Sequence, residues 1–106
     1  MSIKIVPASA TSLGTAQHQL YLAPADCTSA TVATGTVENK NLAQVSAKLF
    51  MQITGRNVWI ISGKSIEWHA SPLVLPPCTL LPGESLNVWS DIPNVLDVAI
   101  TVGEQR

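Results

Sequence analysis

Between Ala43 and Thr54 the chain reads AQVSAKLFMQIT, and apolar residues fall on every second position. Ala43, Val45, Ala47, Leu49, Met51 and Ile53 share one face, while Gln44, Ser46, Lys48, Phe50, Gln52 and Thr54 share the other. A period of two is the signature of a strand with one buried face. A helix would scatter the same apolar residues around its circumference. This stretch therefore predicts a long half-buried strand, and that demand governs the rest of the reading.

The flanking sequence predicts more strands of the same kind. SIKIV at 2–6 reads as a short strand closed by Pro7, and QHQLYLAP at 17–24 as a second that ends at Pro24. PADCTS is a turn in which Asp26 can satisfy nearby backbone amides. ATVATGTVEN at 30–39 is rich in β-branched residues, and Gly35 within it marks a bulge or a close backbone approach. ENKN at 38–41 is a turn, and GRN at 55–57 is a tight connection. NVWIIS and SIEWHAS read as the arms of a hairpin turned at Gly63 and Lys64. SPLVLPPCTLLPGES holds four of the seven prolines, and proline cannot donate to a ladder, so this segment is edge strand and loop.

Pro82 and Gly83 suit the two central positions of a β-turn, so residues 80–102 read as a hairpin with SLNVWS as its first arm. In the last strand Leu96, Val98, Ile100 and Val102 point inward, and Val95, Asp97, Ala99 and Thr101 point the other way. GEQR closes the chain as a polar tail. No window carries a capped apolar pattern of helical spacing. About eight short strands between regular turn signals read as one all-β domain over residues 1–106, a sandwich or a barrel, and the expectation is an antiparallel β-sandwich of jelly-roll or Ig-like topology with no significant helix.

Charged residues make up 12% of the 106, about half the usual share of roughly 25%, and the formal net charge is -1. Such a surface repels neighbours weakly and suits a subunit of a larger assembly. It has no basic stripe for nucleic acid. No run of about 18 apolar residues would cross a bilayer, and MSIKIVPASATSL lacks the apolar core of a signal peptide. The expectation is a protein held in the cytoplasm until it assembles, with neither nucleic acid nor membrane as partner. Cys27 and Cys78 show neither a CxxC pattern nor histidines at metal spacing, and read as free, half-buried thiols that pair only if their strands adjoin.

Nothing in the chain has the pattern of a reactive site. His18 lies among Gln17 and Gln19, and His69 follows Trp68, with nothing to bring the two together. Most acidic residues fall in turns or at the tail. No GxSxG elbow and no phosphate loop occurs. The chain is expected to be no enzyme and to hold no cofactor and no metal.

The large apolar side chains off the core face are the candidates for function. Phe50 falls on the polar face of its strand, and Trp89 opposite Leu86 and Val88. Trp59 lies between Val58 and Ile60, and Trp68 near a loop. Tryptophan is enriched at binding hot spots, and an outward Phe50 beside an outward Trp makes a contact patch. Ile3 and Ile5 in the N-terminal strand are candidates for adding to a neighbour's sheet. The candidate interface is thus Ile3, Ile5, Phe50, Trp59, Trp68 and Trp89.

The order of these signals resembles a group of small β-sandwich virion proteins of tailed bacteriophages. The matching residues are Leu20, Tyr21, Ala23, Pro24 and Ala25 in LYLAPA, then Asn39, then Pro82, Gly83, Glu84 and Ser85, then Val98 to Val102. The tryptophans and SPLVLPPC depart from the outline. The resemblance implies a non-enzymatic structural role, first as capsid decoration or cement. It equally allows an accessory ring at the neck, tail or baseplate. Partners would be the major capsid protein or neck and tail proteins, in a homo-oligomer located in the virion. The tryptophans open an alternative, a carbohydrate- or receptor-binding module at a tail tip, because indoles stack on sugar rings.

Overall fold

The computed structural model describes residues 2–40, 45–56, 58–68 and 71–106. Among them nine strands and no helix occur: β1 (Ile3–Ala10), β2 (His18–Leu22), β3 (Ser29–Asn39), β4 (Ala47–Thr54), β5 (Val58–Ile66), β6 (Leu73–Val74), β7 (Cys78–Leu80), β8 (Ser85–Ser90) and β9 (Leu96–Gln105). One sheet runs β1-β9-β3, with β6 and β7 sharing the far edge of β3, and the other runs β2-β8-β4-β5. Every pairing is antiparallel. The two sheets enclose one core, as the alternating pattern of β4 demands.

The chain changes sheet at nearly every connection; β4 and β5 are sequence neighbours that pair. Counting β6 and β7 as one strand interrupted at Pro76 and Pro77, the order is that of a jelly roll, two Greek keys folded into two sheets. This decides between the two sandwich topologies that the strand pattern left open. The core is drawn from both sheets. On β4 Ala47, Leu49, Met51 and Ile53 are buried, on β9 Leu96, Val98, Ile100 and Val102, and on β8 Leu86 and Val88.

Several sequence expectations change in the structure, each for a physical reason. Pro7 does not close the first strand. β1 is an edge strand paired to β9 from Ile3 to Ala10, and an edge strand tolerates proline where its N–H would face away from the partner. Gly63 and Lys64 do not turn the chain. β5 runs straight through them, with Gly63 at φ 77° and two register shifts against β4 absorbing the irregularity. The hairpin turn lies earlier, at Gly55 and Arg56, where Gly55 has φ 115°.

The reading of 80–102 as a hairpin is also corrected. Pro82 and Gly83 do form a turn, closed by Glu84 N–H donating to the Leu81 carbonyl at 3.0 Å. It carries the chain from one sheet to the other, and β8 and β9 never pair. Val95 is buried rather than outward, and GEQR is no tail, because Gly103 to Gln105 complete β9 and Glu104 is 3% exposed. Gly35 meets both expectations. It follows a register shift between Val32 and Thr34, and a Cβ there would lie 2.9 Å from Ile100 Cγ2 and from Leu75 Cδ1. Ala43 and Gln44 of the alternating stretch, Asn41 of the ENKN turn, Asn57 and His69 lie outside the described residues.

Candidate binding surface

Phe50, Trp59 and Trp89, apart by up to thirty-nine positions in sequence, meet on the outer face of the β2-β8-β4-β5 sheet. The strand register puts them there. Phe50 is the cross-strand partner of Trp89, and Leu49 and Met51 on either side of it point into the core. Their rings stack at 5.6 Å between centroids with 7° between planes. Trp59 closes on both, edge-on to Phe50 at 6.4 Å and tilted against Trp89 at 5.6 Å. Aromatic pairs in such geometry add about 0.5–1.5 kcal/mol each beyond area burial. Gly63 lies beneath the Phe50 ring, 3.5 Å from where its own Cβ would be. Phe50 and Trp89 are half-buried by these contacts, whereas Trp59 remains 48% exposed.

Cross-strand partners share a face, so register also defines the surroundings. One row crosses all four strands as Gln19, Asn87, Gln52 and Trp59. The row on one side is Trp89, Phe50 and Ser62, and on the other Leu22, Ser85 and Thr54. None of these ten side chains is charged. The amides are held in place: Gln17 Nε2 donates to Gln52 Oε1 at 3.4 Å, and Asn87 Nδ2 donates to the Thr54 hydroxyl and to Ser85 Oγ, the latter at 3.3 Å.

The other candidates stand elsewhere. Ile3 and Ile5 lie on the outer face of the opposite sheet, opposite Gln105 and Gly103, and are 64% and 63% exposed. Ile3 borders a shallow depression of about 270 Å³ lined also by Ser29, Thr31 and Gly103. Trp68 is half-buried just past the end of β5. Sequence reasoning missed Val74, 73% exposed, which with Ile60, Ile61 and Leu73 lines a cleft of about 390 Å³ between the edges of the two sheets. No periodic signal marks it, because its residues come from strands that become neighbours only on folding.

Two buried carboxylates were equally hidden. Glu84 accepts from Leu81 N–H at 2.7 Å and from Arg56 Nε at 2.6 Å, while Arg56 Nη2 donates to the Thr79 carbonyl at 2.8 Å. Glu104 accepts from the Tyr21 hydroxyl at 2.5 Å and from Arg106 Nη2 at 2.7 Å, and Arg106 also reaches Asp26 at 2.9 Å. The Arg56 bond holds the Glu84 carboxyl below its ordinary range, and the Tyr21 bond does the same for Glu104. Burial, with the Glu104 bond behind it, pushes the Tyr21 hydroxyl up. Each carboxylate ties a turn or chain end to a strand, and among the described residues no buried side-chain nitrogen or oxygen lacks a hydrogen-bond partner. Cys27 and Cys78 are both free thiols. Cys27 donates to the Pro24 carbonyl at 3.1 Å, and burial pushes the Cys78 thiol up. Among the described residues, no three His, Cys, Asp or Glu side chains gather as a metal-ligand set.

No family model matches this chain, and no curated protein sequence matches it. Its fold is similar to that of a chain in the acidic stable capsid structure of Helicobacter pylori bacteriophage KHP30, with a TM-score of 0.66 and 9% identity over 98% of this chain and 88% of that one.

Proposed function

We propose that this chain is a non-enzymatic structural subunit of a tailed-phage virion, a decoration or cement protein that packs on neighbouring capsid subunits. The observation that carries this reading is the fold likeness to a chain of a phage capsid, which spans nearly the whole molecule. Fold by itself hosts many functions, and jelly rolls include lectin as well as capsid domains. The surface adds its own support. Charge is sparse, and two large isoleucines stand open on an edge strand. An edge strand offers unpaired N–H and C=O groups to a neighbour, and on β1 the isoleucines flank one lysine, Lys4, ahead of Pro7.

In this reading β1 is the main contact with neighbouring virion proteins, and symmetric copies of the chain repeat it around the particle. Assembly takes place in the host cytoplasm. Copy number in purified particles, measured by quantitative mass spectrometry against the major capsid protein, tests the reading. Hundreds of copies are expected. About a dozen, the scale of one closed ring, would move the subunit to the neck, tail or baseplate. Absence from particles would overturn the virion role.

The contact itself has a separate test. The double variant Ile3→Ser, Ile5→Ser leaves the core untouched, since both side chains already face solvent. It is expected to melt close to the parent and to be incorporated at least about tenfold less, the factor that 1.4 kcal/mol of lost contact produces. Unchanged incorporation would remove β1 from the interface.

A further inference from the structure

We propose that the three uncharged rows on the outer face of the β2-β8-β4-β5 sheet bind a neutral saccharide, stacked on Trp59 and hydrogen-bonded by the amides of Gln52 and Gln19. This goes beyond the structural role and does not depend on it.

Three features of the face select this occupant. First, Trp59 is preorganised: Phe50 and Trp89 grip one side of its indole, yet about half of the residue is open. An indole held in this way supplies stacking area at little further entropy cost. Second, the side chains beside it are amides in register, Gln52 directly across and Gln19 two strands further on. Each amide offers both donor and acceptor groups, which matches hydroxyl pairs that do both. Third, three successive cross-strand rows carry no charge, so the centre of the face complements a neutral ligand, and the nearest cation on this face of β4, Lys48, stands one row beyond Phe50.

The size of the apolar patch argues against a protein in this place. A stable protein interface covers about 800 Å² per partner around a buried apolar centre. Here Phe50 and Trp89 are already half-buried by each other, and the open aromatic surface reduces to one indole. That suffices for one or two sugar rings.

The test titrates the purified full chain with a panel of neutral hexasaccharides (α- and β-linked glucose, mannose and galactose oligomers) and with sulfated dextran, by calorimetry. Saturable binding of a neutral member is expected, with no comparable binding of the sulfated polymer. Trp59→Ala and Gln52→Ala should each weaken it, the former at least about tenfold, while both variants keep the parent's far-ultraviolet dichroism, Gln52→Ala melts near the parent, and Trp59→Tyr retains most of the affinity. Flat titrations for every neutral glycan at millimolar concentration would overturn the proposal. So would binding that Trp59→Ala leaves intact, or self-association that Trp59→Ala abolishes, which would make the face a contact between copies. The experiment uses the isolated protein, so its outcome and the particle copy number fail independently.

Discussion

Leu49→Ala is expected to lower the free energy of unfolding by about 2–5 kcal/mol, the range for removing a fully buried leucine without collapse of the site. Leu49 is 0% exposed on β4, a central strand bonded to β8 on one side and β5 on the other. The buried residues that share the core with it on β4 and β8, Met51, Leu86 and Val88, belong to strands fixed by ladder bonds, so the cavity cannot close by moving one loop. For a domain this size total stability is about 5–15 kcal/mol, so the variant approaches the threshold of folding at 37 °C. Urea unfolding followed by far-ultraviolet dichroism reads the effect from the midpoint. A loss under about 1 kcal/mol would mean that Leu49 is not in the packed core.

Glu104→Gln is expected to cost about 1.5–3 kcal/mol at pH 7, the worth of hydrogen bonds to a buried charged group. The carboxylate serves two donors at once, the Tyr21 hydroxyl and the Arg106 guanidinium, and an amide has one acceptor oxygen where the carboxylate has two. The pH dependence separates this from simple misfit. The native Glu104 carboxyl lies below its ordinary range, so between the native value and the unfolded value of about 4.3 the unfolded chain binds the extra proton. Its contribution is therefore complete above the unfolded value and disappears as pH falls through the native one. The parent should lose stability steadily as pH drops below about 4.3, with Glu84 acting in the same direction, and Glu104→Gln should show a shallower acid limb. Unfolding midpoints at successive pH values between neutrality and the acid limb decide it. Parallel curves for parent and variant would show that Glu104 does not titrate against folding.

Placing the proposed saccharide face and the proposed virion contact on opposite sheets has a structural consequence. The aromatic cluster and the exposed isoleucines are on the two outer faces of one sandwich, so a subunit docked through β1 presents Trp59 away from the contact. The two surfaces are thus compatible in one particle.

Local sequence was enough for the existence of most strands and for the direction of side chains within β4 and β9. Steric alternation along a strand is a property of the backbone, so AKLFMQIT and LDVAITV specify which residues are buried before any neighbour is known. The same alternation put Phe50 and Trp89 outside. What it could not do is pair strands. Which strand lies beside which depends on long-range contacts whose residues are far apart in sequence, and the strand pattern of a jelly roll is shared by other sandwiches. Hence β8 and β9 looked like a hairpin until the fold put them in different sheets. Gly63 looked like a turn because a left-handed glycine serves a turn and a bulge equally well, and only the β4 partner distinguishes them. Glu104 looked like tail because nothing local announces that Tyr21 will be its partner eighty-three residues away. The sequence by itself therefore determined an all-β chain whose clearest strands have a buried and a polar face. Tertiary structure alone decided that Phe50, Trp59 and Trp89 form one cluster and that Ile3 and Ile5 stand on the other side, because register between distant strands is a property of the packed sheets and not of any segment.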